Sequence, residues 1–352
     1  MGGIHFVKLF LCKVFKLEKH NHILAIESSC DDTSAAIIKD GAVLSNLTFN
    51  QSIHKHLGGV VPELASRAHM EKIYTIVDLA IKEAGISKDD IDAIAFTRGP
   101  GLLGSLIVGV NFAKGFSLAK NIPMIEVNHM KAHVLAHWSE DPKPDFPFLC
   151  LTVSGGHTQI VLVSDYDQFK IIGETKDDAA GEAFDKSGKL LGLDYPAGPV
   201  IDKLAQEGEA IYQFPKSKMQ NFDYSFSGLK TSIMYFLRRE LKNDDQFIAD
   251  NLANICASIQ QTIVDYLLDI FFRAANQLGV KNLGIAGGVS ANSELRMKFQ
   301  KMCKENGYIP HIPAFQYCTD NAAMIGITAY YQFLKNDFVD HSVYPMARMP
   351  LK

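Results

Sequence analysis

Apolar positions along the chain fall into two patterns, solid blocks of about five residues and longer stripes with three-to-four spacing. The blocks, bounded by small polar turns, predict strands, and the stripes predict amphipathic helices. In the first part His22–Glu27 reads as a strand, Ser28–Thr33 as a polar turn and Ser34–Ile38 as a returning strand. The Lys39-Asp40-Gly41 turn leads to a third strand near Ala42–Phe49. A helix opens at Pro62 with Leu64, Ala68, Ile73, Ile76, Val77, Ala80 and Ile81 inward, and Gly85 ends it. A strand at Ile91–Phe96 meets Arg98-Gly99-Pro100-Gly101, a glycine-spaced helix runs over Leu103–Ala119, and the strand Ile122–Val127 stops before His129.

The second part repeats that order. Phe148–Val153 is a strand, Ser154-Gly155-Gly156-His157-Thr158 a tight turn, Gln159–Val163 the return, and Phe169–Glu174 a third strand. After a long insertion an amphipathic helix carries Ile248, Leu252, Ile255, Ile259, Ile263, Leu267 and Ile270 inward. Strand Asn282–Ala286 meets Gly287-Gly288 before a helix over Ser290–Lys304, and strand Tyr308–Pro313 precedes the closing helix Ala322–Leu334. Two such β-β-β-α-β-α-β halves predict an α/β protein with the actin-like ATPase fold, two duplicated ribonuclease-H-like halves around a central cleft. The expected division is an extension over residues 1–21, a first half over 22–145 and a second over 146–352, with the insertion at about 175–242.

Composition narrows the setting. The 352 residues are 47% hydrophobic and 21% charged, as in globular proteins, and the net charge of −4 gives no global attraction to nucleic acid. An RNA contact must therefore use a local basic patch or a helper protein. The six cysteines form no CxxC pair, which points to reduced thiols and a cytoplasmic setting. No apolar run reaches the roughly 18 residues of a membrane span. In the extension, lysines interrupt the apolar run Phe6–Leu17 and no small-residue cleavage site follows, which argues against a signal peptide. The expected role is a segment outside the fold, with a membrane-touching amphipathic helix as the alternative.

His129-Met130-Lys131-Ala132-His133 places two imidazoles on one helical face, where both can reach a single metal ion. Met130 stands where a zincin requires its general-base Glu. Asp320 holds the pseudo-equivalent place in the second half, so the three side chains can converge across a cleft. Two His and one Asp leave coordination positions open, as at a catalytic site. Ser154-Gly155-Gly156 and Gly287-Gly288 suit the close approach of a phosphate or nucleotide to backbone N–H groups. On the residues alone, the alternatives are solvated surface histidines, ordinary turns, and a plain N-cap role for Asp320.

From about Ile23 onward the chain resembles the universal tRNA threonylcarbamoyladenosine transferases, a family that once carried the name O-sialoglycoprotein endopeptidase. The resemblance rests on Glu27-Ser28-Ser29-Cys30-Asp31, the run Gly58–Arg67, Gly99-Pro100-Gly101, the His129/His133 pair and Val153–Thr158. It continues through the runs Asp178–Lys186, Tyr224–Thr231 and Ala286–Asn292, and Cys318-Thr319-Asp320-Asn321. It implies transfer of a threonylcarbamoyl group from threonylcarbamoyl-adenylate to the adenosine beside the anticodon in tRNAs reading ANN codons, with AMP leaving. By the same resemblance His129, His133 and Asp320 hold one divalent metal ion, Fe²⁺ or Zn²⁺. Thr152, Val153, Ser154, Gly155, Gly156, Asp185, Gly198, Asp202 and Asn292 line the adenylate site. Where the family usually has Glu this chain has Asp32, a carboxylate one methylene shorter that is a candidate for taking the amine proton; a solvated turn residue is its alternative.

The resemblance also implies partners: tRNA, an inactive paralogue as dimer partner, a small P-loop ATPase, and a separate synthase supplying the adenylate, with no membrane. The helix after Pro62 and the glycine-spaced helix are the expected dimer surfaces, against plain core packing. Arg67, Lys230, Arg238 and Arg239 are the first tRNA contacts to consider. Rival readings are a metabolite kinase on the same fold, a metalloprotease, and a non-enzymatic ATP-dependent scaffold.

Overall fold

Residues that are apolar on both faces of a strand must be covered on both sides, and this requirement organises the molecule. In the computed structural model, which describes residues 21–51, 53–54 and 58–351, β1 (His22–Glu27), β2 (Asp32–Lys39), β3 (Ala42–Asn50), β4 (Ala93–Gly99) and β5 (Met124–Asn128) form one sheet in the order β3-β2-β1-β4-β5. The first three run antiparallel, and β1, β4 and β5 run parallel. The second sheet has the same arrangement, β10-β9-β6-β7-β8, from β6 (Phe148–Val153), β7 (Thr158–Asp165), β8 (Gln168–Glu174), β9 (Asn282–Ala286) and β10 (Ile309–His311). The expected duplication is therefore explicit in the topology. The predicted 1–21 extension lies outside the described residues, apart from Asn21.

Helices α1 (Pro62–Glu83) and α2 (Leu103–Lys120) cover the outer face of the first sheet, packing Ile73, Val77 and Val110 on Leu24, Ile26 and Ile37. The inner face of α1 runs through Ile73, Val77, Ala80 and Ile81 as predicted, but its first two turns depart from the prediction. Ala65 and His69 are buried, whereas Leu64 and Ala68 are only partly so. The insertion forms α4 (Ala180–Leu190), α5 (Ala197–Ala205) and α6 (Ser227–Glu240), which with α7 (Phe247–Leu278) build the core outside the second sheet. One window of α7 is apolar enough for a membrane span by length and composition, but 78% of it is buried here, as in a core helix. Gly287-Gly288 lead first into a 3-10 turn over Gly288–Ala291, so α8 begins at Ser293, later than predicted, and ends at Asn306.

The layer between the sheets is made by α3 (His129–Leu135) and α9 (Ala322–Leu334). Ile23, Ala25 and Ile125 from one sheet and Phe148, Cys150 and Val161 from the other enclose Ala132, Val134, Met324 and Ile325. Packing thus crosses the expected boundary at residues 145 and 146. Although last in sequence, α9 lies on the first sheet: Ala322 N donates to Ser34 Oγ (2.8 Å) and Ala323 N to Asn46 Oδ1 (3.1 Å). The segment after α9 returns to the same half, where Met346 N donates to Arg98 O (2.8 Å), Gly101 N to Ala347 O (3.2 Å) and Asn128 Nδ2 to Pro350 O (3.2 Å).

The α9 contact is close enough to test. A Cβ on Gly326 would lie 2.3 Å from Ile38 Cγ1 and 3.1 Å from Ala25 Cβ. Gly→Ala inside a helix ordinarily gains about 1 kcal/mol, but overpacking costs about 1–3 kcal/mol. Gly326→Ala should therefore lower stability, read as a reduced urea midpoint; a raised midpoint would show that α9 is not held this tightly.

Candidate active site

Both inter-sheet helices begin at the same point in space. Asn128 caps α3, its Oδ1 accepting from Met130 N (2.9 Å) and Lys131 N (3.2 Å), so His129 is the first helical residue. Asn321 caps α9 by accepting from Met324 N (3.0 Å). The N-cap alternative for Asp320 is thereby corrected: the next residue does the capping, and the Asp320 carboxylate turns to the histidines. Its Oδ1 lies 3.4 Å from His129 Nε2 and 3.1 Å from His133 Nε2, and the two Nε2 atoms are 3.1 Å apart. Only 8% of His129 and 1% of His133 is exposed, so these are not solvated surface histidines.

Glu27, at the end of β1 and fully buried, completes the cluster. Its Oε2 is 3.1 Å from His129 Nδ1 and accepts from Thr97 Oγ1 (2.6 Å). Burial opposes charge on all three groups, yet the opposite charges and the hydrogen bonds between them win. Asp320 and Glu27 raise the pKa of His129, and His129 in turn holds Glu27 low and Asp320 well below the usual carboxylate range. Because Glu27 accepts at Nδ1, the His129 Nε2 side faces Asp320 and His133, the carboxylate–histidine arrangement that orients a metal ligand.

The donor set fits a divalent ion. The ligand atoms of His129, His133 and Asp320 all lie within 4.8 Å of one another. Their separations of 3.1, 3.1 and 3.4 Å match the roughly 3.3 Å that tetrahedral bonds of about 2.0–2.1 Å imply. His133 Nδ1 is buried without a hydrogen-bond partner among the described residues. His157 faces the cluster, and burial followed by the nearby His129 and His133 drops its pKa to about 4, leaving it neutral.

The cluster opens into a cleft of about 900 Å³ between the halves. Asp32, His129, Ser154, Gly155, Gly156, Asp185 and Asp320 are in its wall, as the sequence reading places them. Thr152 and Val153 instead lie buried in β6 beneath the turn. Gly198, Asp202 and Asn292 are also absent from the wall, and local bonds say why. Asp202 accepts from Ser293 N (3.0 Å) and Ser293 Oγ (2.6 Å); Asn292 caps α8 through Leu295 N (3.0 Å) and donates to Gln260 Oε1 (2.7 Å). Gly198 N, with Ala197 N (2.8 Å), serves the Asp185 carboxylate. The sequence reading missed Glu27, and it missed Lys189, Tyr195 and Asp31 in the wall. An acid closing an otherwise apolar strand is the signal that could have singled out Glu27.

Asp32 opens β2 and is not a solvated turn residue; Asn50 Nδ2 donates to its Oδ1 (2.8 Å). Burial, then the charges of Asp320 and Asp31, push its pKa up to about 7. In the metal-free protein, carbon-13 NMR of labelled aspartate should show one carboxyl titrating near pH 7, absent in Asp32→Asn and moved down by Asp31→Asn. A midpoint at the ordinary carboxylate value would contradict this environment.

A two-lobed α/β protein with paired β-β-β-α-β sheets, glycine turns at strand ends and chemistry in the cleft between them is an actin-like ATPase-fold protein. Solved structures agree on the fold. Full-length HypF in the phosphate- and nucleotide-bound form superposes with a TM-score of 0.58 at 15% identity, covering 90% of this chain and 47% of that one. Component A of the (R)-2-hydroxyglutaryl-CoA dehydratase of Acidaminococcus fermentans gives 0.52 at 15% identity, over 89% and 98%. The sequence goes further. The family model described as "TsaD: tRNA N6-adenosine threonylcarbamoyltransferase" matches residues 42–327. Proteins of that name from Christiangramia forsetii and Riemerella anatipestifer are 55% and 53% identical, covering 93% and 95% of this chain and 97% and 99% of their own lengths. The chain belongs to the tRNA N6-adenosine threonylcarbamoyltransferase family, and it is a transferase of tRNA modification.

Proposed function

We propose that the protein moves the threonylcarbamoyl group from threonylcarbamoyl-adenylate to N6 of the adenosine adjacent to the anticodon in tRNAs reading ANN codons, releasing AMP. The observation that carries this reading is the convergence of His129, His133 and Asp320 from opposite halves beside an open glycine turn. A Cβ at Gly155 or Gly156 would meet nothing within 4 Å, so the turn leaves room for an adenylate phosphate against its backbone. Thr152 and Val153 support that turn from below, while Gly198, Asp202 and Asn292 hold the walls from behind. The N6–C bond forms as the bond from carbonyl carbon to phosphate oxygen breaks, and Asp32 accepts the proton lost from N6. A divalent ion, Fe²⁺ or Zn²⁺, held by His129, His133 and Asp320 would supply Lewis-acid polarisation of the transferred carbonyl. His129 is oriented for that duty by Glu27.

The proposed partners have surfaces of matching chemistry to dock on. Met70 and Tyr74 on α1 and Leu103 and Ile107 on α2 are exposed apolar side chains, which suit docking of the inactive paralogue. Exposed Lys230, Arg238 and Arg239 on α6 and Arg67 on α1 suit tRNA phosphates. A small P-loop ATPase and a separate adenylate-making synthase complete the proposed cytoplasmic system.

The transfer is tested by combining the protein, its paralogue and ATPase with threonylcarbamoyl-adenylate and tRNA, then digesting the tRNA for nucleoside mass spectrometry. The base form of Asp32 grows as pH rises through its pKa, so the rate should climb with pH and level off, at a midpoint that a divalent ion on Asp320 lowers from the metal-free value of about 7. Asp32→Asn should remove that limb and cut turnover by about 10²-fold or more. No threonylcarbamoyladenosine with wild type would sink the reading; a loss under about threefold in the variant would remove Asp32 as base.

Metal content is a separate measurement. Asp320→Ala should lose bound Fe²⁺ or Zn²⁺ by elemental analysis while remaining folded, since its side chain belongs to none of the three apolar cores. His137 points elsewhere, its Nδ1 toward Val134 O (3.0 Å) and Nε2 toward His311 O (3.2 Å), so a His137→Gln variant should keep the metal. Full occupancy in Asp320→Ala, or equal loss in both, would show the ligands to be wrongly assigned.

A further inference from the structure

The turn that carries Asp31 and Asp32 into the cleft is short; β3 pairs with it from Asp32 onward, Glu27 accepts from Ser29 N, and helices hold it between. Leu102 N donates to Ser29 O (2.8 Å), Ser28 Oγ donates to Ser105 O (3.0 Å), and Ser105 Oγ donates to Cys30 O (3.0 Å), all from the start of α2. From the other side comes His69 of α1, fully buried. Its Nε2 is 3.0 Å from Cys30 O and its Nδ1 is 2.7 Å from Thr33 Oγ1. A carbonyl oxygen can only accept, so Nε2 carries the hydrogen and Nδ1 accepts from the Thr33 hydroxyl. Burial lowers the His69 pKa and keeps this single neutral tautomer. The ring therefore reads the chain on both sides of the two aspartates at once.

The proposed transfer makes no use of His69, and a buried imidazole is a costly way to fill space on an otherwise apolar helix face. We infer that His69 is a positioning residue for the acidic turn, fixing from the buried face of α1 the backbone that aims Asp31 and Asp32 at the bound substrates. The inference rests on the transfer reading above. It also gives α1 a second role, because Met70 and Tyr74 on its outer side are 69% and 64% exposed. A shift of α1 by a molecule docked on that face reaches the aspartates through one side chain.

Amide side chains separate the two bonds. The Gln amide extends to the Nε2 position and can donate to Cys30 O, whereas the Asn amide reaches only the Nδ1 position and keeps Thr33. Misplacing a reacting group by about 1 Å can cost about 10²-fold in rate, so His69→Asn should lower kcat by about tenfold or more with KM for tRNA unchanged. His69→Gln should keep kcat within about threefold of wild type, with both variants melting alike. Wild-type kcat in His69→Asn, or losses in both variants that track Tm, overturns the inference. Should His69→Asn fail to fold, Ser105→Ala removes the second donor to the same carbonyl; an unchanged kcat there overturns the inference, and a lowered kcat at unchanged KM supports it. A wild type that transfers nothing overturns the functional reading and this inference together, whereas a working wild type confines any failure to His69.

Discussion

A carboxylate removed from water needs a positive charge or several hydrogen bonds, and here two of them, Glu27 and Asp320, converge on one imidazole. Glu27, from the first strand, meets His129 and Thr97 within its own half, whereas Asp320, from the loop before the last helix, reaches its histidines only when the two halves have met. The separations that let His129 lie between them also bring His133 Nε2 against Asp320. Removing His129 leaves the fully buried Glu27 without its opposite charge, so this end of the seam between the halves is tightly constrained.

The inter-sheet layer is the means of satisfying that constraint. Each of α3 and α9 presents apolar side chains toward a sheet and starts at the cluster, so the packing that buries Ala132, Val134, Met324 and Ile325 also fixes His129 and Asp320. Outside the sheets, α1 and α2 perform the same double duty for the acidic turn, with apolar residues on the core and His69 and Ser105 on the chain. Position in this site is thus inherited from core packing, with hydrogen bonds setting the final direction of each side chain.

Much of this was legible in the sequence, for identifiable reasons. Strands β1, β6 and β9 and helix α9 have the bounds their apolar blocks predict, because they are buried on nearly every side. The approach of Asp320 to His129 and His133 followed from recognising the repeat. Position within α1 did not follow, since counting only apolar residues assigns Leu64 and Ala68 to the inner face and passes over His69. Glu27 was hidden for a related reason: its partners Thr97 and His129 lie 70 and 102 residues away and are brought to it by the β1-β4-β5 order. Asp202 and Asn292, which the resemblance assigns to the adenylate site, also hold the start of α8, a use that no motif announces.

The return of the chain end to the first half has a bearing on biosynthesis. Residues 322–350 supply α9, the backbone that accepts from Gly101 N, and the carbonyl that receives the Asn128 amide. They are synthesised after the second sheet, yet the first half has one sheet face without its full cover until they arrive. Domains usually fold in the order in which they are made. This one has to wait: its first sheet must remain unfinished, with Ile23, Ala25 and Ile125 awaiting their partners, through the synthesis of the entire second half. A chain stopped anywhere before α9 therefore holds a first half whose inner sheet face cannot close.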